Sequence, residues 1–242
     1  MKEELPRVDS PLADGKRGVK SYVLRAGKMT PYQKRALELY ATKHAITFDA
    51  QKHLDLHSLF GNTHKTVIEI GFGMGESTAA IALQFPQLNF IGIEVFINGY
   101  AKLLHRIEKL QLTNVKVIRF DAVEFLQSMI KDESIDGFHI FFPDPWPKKK
   151  HHKRRLIQLP FAQLLTDKLV PGGSIYCVTD WAEYAFQMLD VFGSVNKLHN
   201  PHDGFAPPLS WRPTTGFERK GRAKEHEIFE IRVEKKGAEL PL

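Results

Sequence analysis

The chain has 242 residues, of which 43 % are hydrophobic and 11 % aromatic, enough to bury a full core without a metal or disulfide staple. Thirty-four Lys and Arg against 28 Asp and Glu leave a net charge of +6, an excess that leans towards a polyanionic partner. The single cysteine, Cys177, excludes an intramolecular disulfide and a cysteine-based zinc site. No apolar run approaches the ~18 residues of a membrane span, and the acidic start with Pro6 does not read as a secretory leader, so a cytoplasmic protein is expected.

Residues 1–29 are polar, interrupted by Pro6, Pro11, Gly15, Gly18 and Gly27, and aperiodic. They read as a mobile basic arm ahead of one domain spanning 30–242. Thr30 as N-cap, Pro31 at the first helical position and Gln33 closing a capping box start a helix that runs to about Lys43. The apolar run 66–70, ending at Gly71, has the composition of a buried parallel strand. A helix at 77–85, a strand at 89–94 and a helix at 96–110 follow, the last with Leu103, Leu104, Ile107 and Leu110 on one face. Then come a strand at 115–120, a helix at 122–129 and a strand at 135–142. A helix at 156–168 stops at Val170-Pro171-Gly172-Gly173, before a strand at 174–178 and a helix at 181–192. This alternation predicts an α/β fold: a doubly wound, mostly parallel sheet with right-handed crossovers. Residues 227–233 are strand-like and follow a Pro- and Gly-rich stretch, which predicts an antiparallel edge strand at the C-terminal end.

The first strand leads into Glu69-Ile70-Gly71-Phe72-Gly73-Met74-Gly75. Glycines there let the backbone pass close to a ligand at the carboxyl edge of the sheet. A dinucleotide fingerprint wants a third glycine where Glu76 stands, and a carboxylate at that helix start opposes a pyrophosphate. An NAD-dependent reductase is disfavoured. Glu94 ends the second strand and Asp121 the third, where they can take ribose hydroxyls and an adenine edge. With Glu69 these acids suit S-adenosylmethionine, which carries an ammonium and a sulfonium and no phosphate.

The fourth strand runs out into Phe141-Phe142-Pro143-Asp144-Pro145-Trp146-Pro147, and prolines on both sides hold Asp144 stiffly at the sheet edge. Next comes Lys148-Lys149-Lys150-His151-His152-Lys153-Arg154-Arg155, with six cations in eight residues and no acid. Such a run is either a solvated loop or a phosphate-gripping strip. Asp180 ends the fifth strand and either N-caps the next helix or faces a substrate. Trp146 and Trp211 either stack on bases or anchor the core. His151 and His152 have no carboxylate or cysteine at metal spacing, so no metal is expected.

The Pro143–Arg155 stretch resembles the signature of the bacterial tRNA (guanine-N7-)-methyltransferases. So do Arg25-Ala26-Gly27-Lys28-Met29-Thr30, Val178-Thr179-Asp180 and Thr215-Gly216-Phe217-Glu218. The resemblance implies a Rossmann-like class I methyltransferase with a seven-stranded sheet, cytoplasmic, monomeric or weakly dimeric. It implies methyl transfer from S-adenosylmethionine to ring nitrogen 7 of the variable-loop guanine (position 46) of tRNA, giving 7-methylguanosine. Glu69, Gly71, Gly73, Glu94, Asp121 and Asp144 would hold the cofactor, with Asp144 also catalytic. Lys148, Lys150, His151, His152, Lys153, Arg154, Arg155, Asp180, Thr215, Gly216, Phe217 and Glu218 would meet the RNA. Gly216 stands where the resemblance implies Lys or Arg, which leaves that contact to Arg212 or Arg219. The competing readings are another RNA or DNA base methyltransferase and a non-catalytic RNA-binding protein on the same scaffold.

Overall fold

A computed structural model describes residues 8, 19–24, 28–216, 218–219 and 227–237; Arg25, Ala26, Gly27 and Phe217 lie outside them. The elements are α1 (Pro31–His44), α2 (Leu56–Phe60), β1 (Lys65–Ile70), α3 (Glu76–Gln84), β2 (Leu88–Ile93), α4 (Ile97–Lys109) and β3 (Val115–Ile118). They continue with α5 (Ala122–Met129), β4 (Ile135–Phe141), a 3-10 helix (Lys149–Arg154), α6 (Leu159–Lys168), β5 (Leu169–Thr179), α7 (Ala182–Gly193), β6 (Leu198–His199) and β7 (Phe229–Lys235). Among the described residues the sheet has the order β3-β2-β1-β4-β5-β7-β6. The first five strands are parallel, while β7 is antiparallel to both β5 and β6. The doubly wound sheet expected from the alternation is therefore present.

Both faces of the sheet are covered. On one, Phe125, Leu126 and Met129 of α5, Phe161 and Leu165 of α6, and Tyr184, Met188 and Phe192 of α7 pack on the strands. On the other, Ala79 and Ile81 of α3 and Leu103, Leu104 and Ile107 of α4 do so. No helix among the described residues is long and apolar enough to cross a membrane.

Several boundaries differ from the sequence reading, each for a local reason. The capping box forms as predicted: Thr30 Oγ1 accepts from the Gln33 amide, and Gln33 Oε1 from the Thr30 amide. Helix α6 begins three residues later than expected, because Pro160 lacks an N–H and belongs in the first turn. Strand β5 takes in the Pro171–Gly173 stretch, at the cost of a register shift against β4. Leu110, placed on the buried face of α4, is its C-cap and 39 % exposed. The outer edge belongs to the two-residue β6, so β7 is the penultimate strand. The cationic run, with no apolar periodicity to mark it, coils into a 3-10 helix.

Candidate active site and RNA-facing segment

The carboxyl ends of β1 to β4 converge on a crevice of about 200 Å³, lined by Gly71, Glu94, Asp121 and Asp144 together with Ile70, Ile93, Phe120, Phe141 and Phe142. Among the described residues, three carboxylates and no lysine or arginine line it. The donor set therefore suits a cationic ligand with an apolar body and disfavours a phosphate.

The glycine turn sits tightly. Gly73 adopts φ +56°, and a Cβ on Gly99 of α4 would come within 1.9 Å of the Gly73 carbonyl oxygen, so the turn and the start of α4 fit only as glycines. Glu94 is buried and accepts three backbone N–H bonds, from Gly73 and Val95 at 2.7 Å and from Phe96 at 2.9 Å. A carboxylate offers about four lone-pair sites, which leaves room for one ligand hydroxyl unless the turn yields. Burial raises the Glu94 pKa against those hydrogen bonds, and the Asp144 charge adds to the rise. Asp121 is the N-cap of α5, accepting from Val123 and Glu124, and its amide donates to the Val8 carbonyl.

The described part of the N-terminal arm lies across this site. Ser21 and Tyr22 line the crevice. Lys20 Nζ reaches Asp121 at 3.2 Å and Glu124 at 2.9 Å. The cationic segment holds this strap: Trp146 Nε1 donates to the Ser21 carbonyl, and the Arg154 guanidinium donates to the carbonyls of Lys20 and Tyr22 while lying 3.9 Å over the Trp146 ring. Nothing in the sequence around Lys20 or Trp146 announces a contact across more than 120 residues.

Glu69 and Gly73 fall outside the crevice lining. Glu69 is buried beneath the start of α3, where Ser77 Oγ donates to Oε1 at 3.1 Å and Oε2 has no hydrogen-bond partner among the described residues. Burial pushes its pKa up from 4.5 to about 7. The raised value means that the folded chain keeps a proton the unfolded chain releases between about pH 4.5 and 7. Stability therefore falls as pH rises through that window, by about 3 kcal/mol, and is level outside it. Glu69→Gln removes this component, so the variant gains on the parent between about pH 4.5 and 7 in urea unfolding. Parallel curves for the two proteins contradict the assignment.

Asp144 is exposed at the tip of β4. Its corner is strained: Phe142 has φ +52° and Trp146 φ +45°, a left-handed geometry costing roughly 1–3 kcal/mol per residue that clusters at functional sites. Asp180 lines a separate hollow with Trp181, Glu183, Glu227 and Phe229. Trp181, not Asp180, is the N-cap residue of α7, and the Trp181 amide donates to Thr179 Oγ1.

Thr215, Gly216 and Glu218 belong to one short helical turn. Thr215 Oγ1 accepts from the Glu218 amide, and the Gly216 amide points at Glu76 of α3 at 3.4 Å. Glu218 is fully buried: Arg212 grips it with Nη1 at 2.6 Å and reaches Glu230 with Nη2 at 2.9 Å. Arg212 is thereby locked inside, so the contact absent at Gly216 does not fall to it. Arg219 is exposed, with Nη2 3.5 Å from where a Cβ on Gly216 would stand. Trp146 and Trp211 are both anchored within the protein, Trp211 by stacking on His139 with ring centroids 5.4 Å apart.

Within the run after Pro147, Lys148, Lys149, Lys150 and Lys153 are exposed, while Arg155 is buried.

The doubly wound sheet, the glycine turn and the acids at adjoining strand tips define a methyltransferase fold, and residues 63–231 match the family model described as putative methyltransferase. Among solved structures, the 16S rRNA methyltransferase KamB superposes with a TM-score of 0.58 at 11 % identity, covering 80 % of this chain and 99 % of that one. The aminoglycoside resistance methyltransferase NpmB1 gives 0.53 at 16 % identity, covering 78 % and 95 %. At these identities the likeness is one of fold. The chain is 46 % identical over 222 residues to the tRNA (guanine-N(7)-)-methyltransferase of Bordetella pertussis, covering 92 % of this chain and 87 % of that protein. It is 45 % identical over 219 residues to the protein of the same name from Francisella philomiragia, covering 90 % and 96 %. The chain belongs to the family of the tRNA (guanine-N(7)-)-methyltransferases.

Proposed function

We propose that the protein methylates ring nitrogen 7 of a guanine in the variable loop of tRNA, with the crevice between β1 and β4 as its cofactor site. The observation that carries this reading is Asp144, fixed on a strained corner at the mouth of a carboxylate-lined crevice and followed at once by exposed lysines. Gly71, Glu94, Asp121 and Asp144 would hold S-adenosylmethionine, which would supply the methyl group when bound. Guanine N7 carries a free lone pair, so no proton has to leave before it is alkylated, and the protein needs no strong base. Its work is alignment, which supplies effective molarity. Positive charge grows on the ring during transfer, and the Asp144 carboxylate stabilises that charge more in the transition state than in the ground state.

Nucleoside mass spectrometry of tRNA incubated with protein and methyl-labelled donor tests the reading. Labelled 7-methylguanosine is expected. Label on an exocyclic amine of adenine or cytosine, or no label, overturns it.

The lysines make a separate claim on RNA phosphates. Each neutralised phosphate contributes roughly 0.7–0.9 to the slope of log affinity against log salt. Changing Lys149, Lys150 and Lys153 to Gln together is therefore expected to flatten that slope by about two, measured by filter binding at several salt concentrations. An unchanged slope removes the segment from the RNA site.

A further inference from the structure

The eight residues after Pro147 look in sequence like one uniform basic strip, yet the last of them faces the other way. The Arg155 side chain is 1 % exposed. Its Nε donates to the Pro145 carbonyl at 2.8 Å, Nη1 to Gln187 Oε1 at 2.5 Å and Nη2 to His152 Nε2 at 3.1 Å. Glu183 Oε1 lies 3.5 Å from Nη2, and the guanidinium carbon stands 4.9 Å over the Tyr184 ring. Tyr184 is itself fully buried on α7, with its hydroxyl accepting from the Ile157 amide. The cation is thus caged between the Asp144 corner and a helix packed on the core.

The corner needs such an anchor. Pro143, Pro145 and Pro147 have no N–H, so a segment of five residues has lost three of the backbone donors that normally tie a turn down. Phe142 and Trp146 both hold left-handed φ, a geometry that persists only where the surroundings over-determine it. What is left to grip is a carbonyl oxygen, and that of Pro145, the residue directly after Asp144, is gripped. A charged, planar, multiply bonded donor suits that task better than a flexible ammonium.

We propose that Arg155 is a positioning residue for methyl transfer: by holding the Pro145 carbonyl against α7 it sets the place of the Asp144 carboxylate, and it does not grip RNA phosphate. The proposal rests on the reading of Asp144 given above. Caged as it is, the guanidinium reaches no phosphate without giving up Pro145 and Gln187, so the RNA contacts of this run belong to its exposed lysines.

The test uses the full chain with a tRNA transcript and measures single-turnover rate, cofactor affinity and the salt slope of tRNA binding. Displacing a catalytic group by about 1 Å costs on the order of 10²-fold in rate. Arg155→Lys is therefore expected to slow transfer about 10- to 100-fold at saturating tRNA and cofactor, and the neutral Arg155→Gln to leave the salt slope unchanged. In an Asp144→Asn background Arg155→Lys adds no further loss. Gln187→Leu, which leaves the Arg155 and Asp144 charges in place and removes the bonds of Gln187 to the far end of the guanidinium and to the Ile157 carbonyl, serves if Arg155→Lys melts early; a several-fold slower rate with an unchanged salt slope is expected. A full rate in Gln187→Leu overturns the proposal. So does a salt slope in Arg155→Gln that falls by about 0.7–0.9, since the loss of one cation then marks a phosphate ligand. Losses that multiply in the double variant, where Asp144→Asn alone is slow, fail the Arg155 proposal only. Parent-like turnover in Asp144→Asn alone fails the reading of Asp144 itself.

Discussion

Asp144→Asn lowers the rate of methyl transfer at saturating tRNA by an expected 10²-fold or more, with tRNA affinity within a few-fold of the parent. Asparagine keeps the shape of the side chain and one acceptor oxygen, so the corner between Phe142 and Trp146 retains its geometry; only the charge is lost. The carboxylate matters most as the guanine ring turns cationic, and an interaction made mainly in the transition state appears in kcat rather than in binding. Preorganised electrostatic groups of this kind are worth about 10²–10³ in rate when one is removed. A second consequence follows at Glu94, whose pKa is raised by burial and further by the Asp144 charge; neutralising Asp144 lets Glu94 ionise more readily. Single-turnover measurements decide the matter. Parent-like turnover in the variant rules out an electrostatic role for the carboxylate.

Arg212→Met carries the largest expected loss of stability. The Arg212 side chain is 5 % exposed and bonded to the carboxylates of Glu218 and Glu230, whose side chains are 0 % and 2 % exposed. Tyr176 joins the same network, donating to Glu230 and accepting from Arg212 Nε. Removing the cation strands two buried anions, and breaking such a pair typically costs about 3–5 kcal/mol. Against a total stability of roughly 5–15 kcal/mol, and at about 2–4 °C per kcal/mol for a chain of this size, the melting temperature falls by about ten degrees. Arg212→Lys recovers little, because an ammonium cannot reproduce the two-pronged grip on Glu218. Adding Glu218→Gln and Glu230→Gln to Arg212→Met returns part of the loss, since the stranded charges go with it. Thermal unfolding of the four proteins reads this directly. An unchanged midpoint in Arg212→Met shows that the network contributes nothing net.

The sheet and the tip acids were legible because they obey local rules. A buried parallel strand is a continuous apolar run, so its end shows in the sequence, and the acids at Glu94 and Asp121 mark where β2 and β3 give out. The capping box at Thr30 is likewise a three-residue matter. What stayed hidden depends on partners distant in the chain. Arg155 reads as one more surface cation until Tyr184, Gln187 and Glu183 of α7 enclose it. Glu218 reads as an exposed loop acid until Arg212 and Glu230 close around it. Lys20 gives no hint of Asp121, 101 residues further on. Glu69 has the right type and spacing for a ligand, but its depth beneath α3 is a property of helix packing that no motif records. Charge runs are especially opaque, because periodicity distinguishes apolar faces and says nothing about which cations turn inward.

The position of β7 has a bearing on how the chain is made. Residues 174–179 of β5 pair with 229–234 of β7 along its outer side, so for the fifty residues of synthesis between them that strand stands with one row of amides and carbonyls open. Ile175, Cys177 and Val178 are fully buried in the finished fold, and an apolar strand with a bare side is a template for pairing with another molecule. A chain truncated ahead of residue 229 keeps that sticky margin uncovered, and such a fragment is expected to associate with other chains where the full-length protein does not.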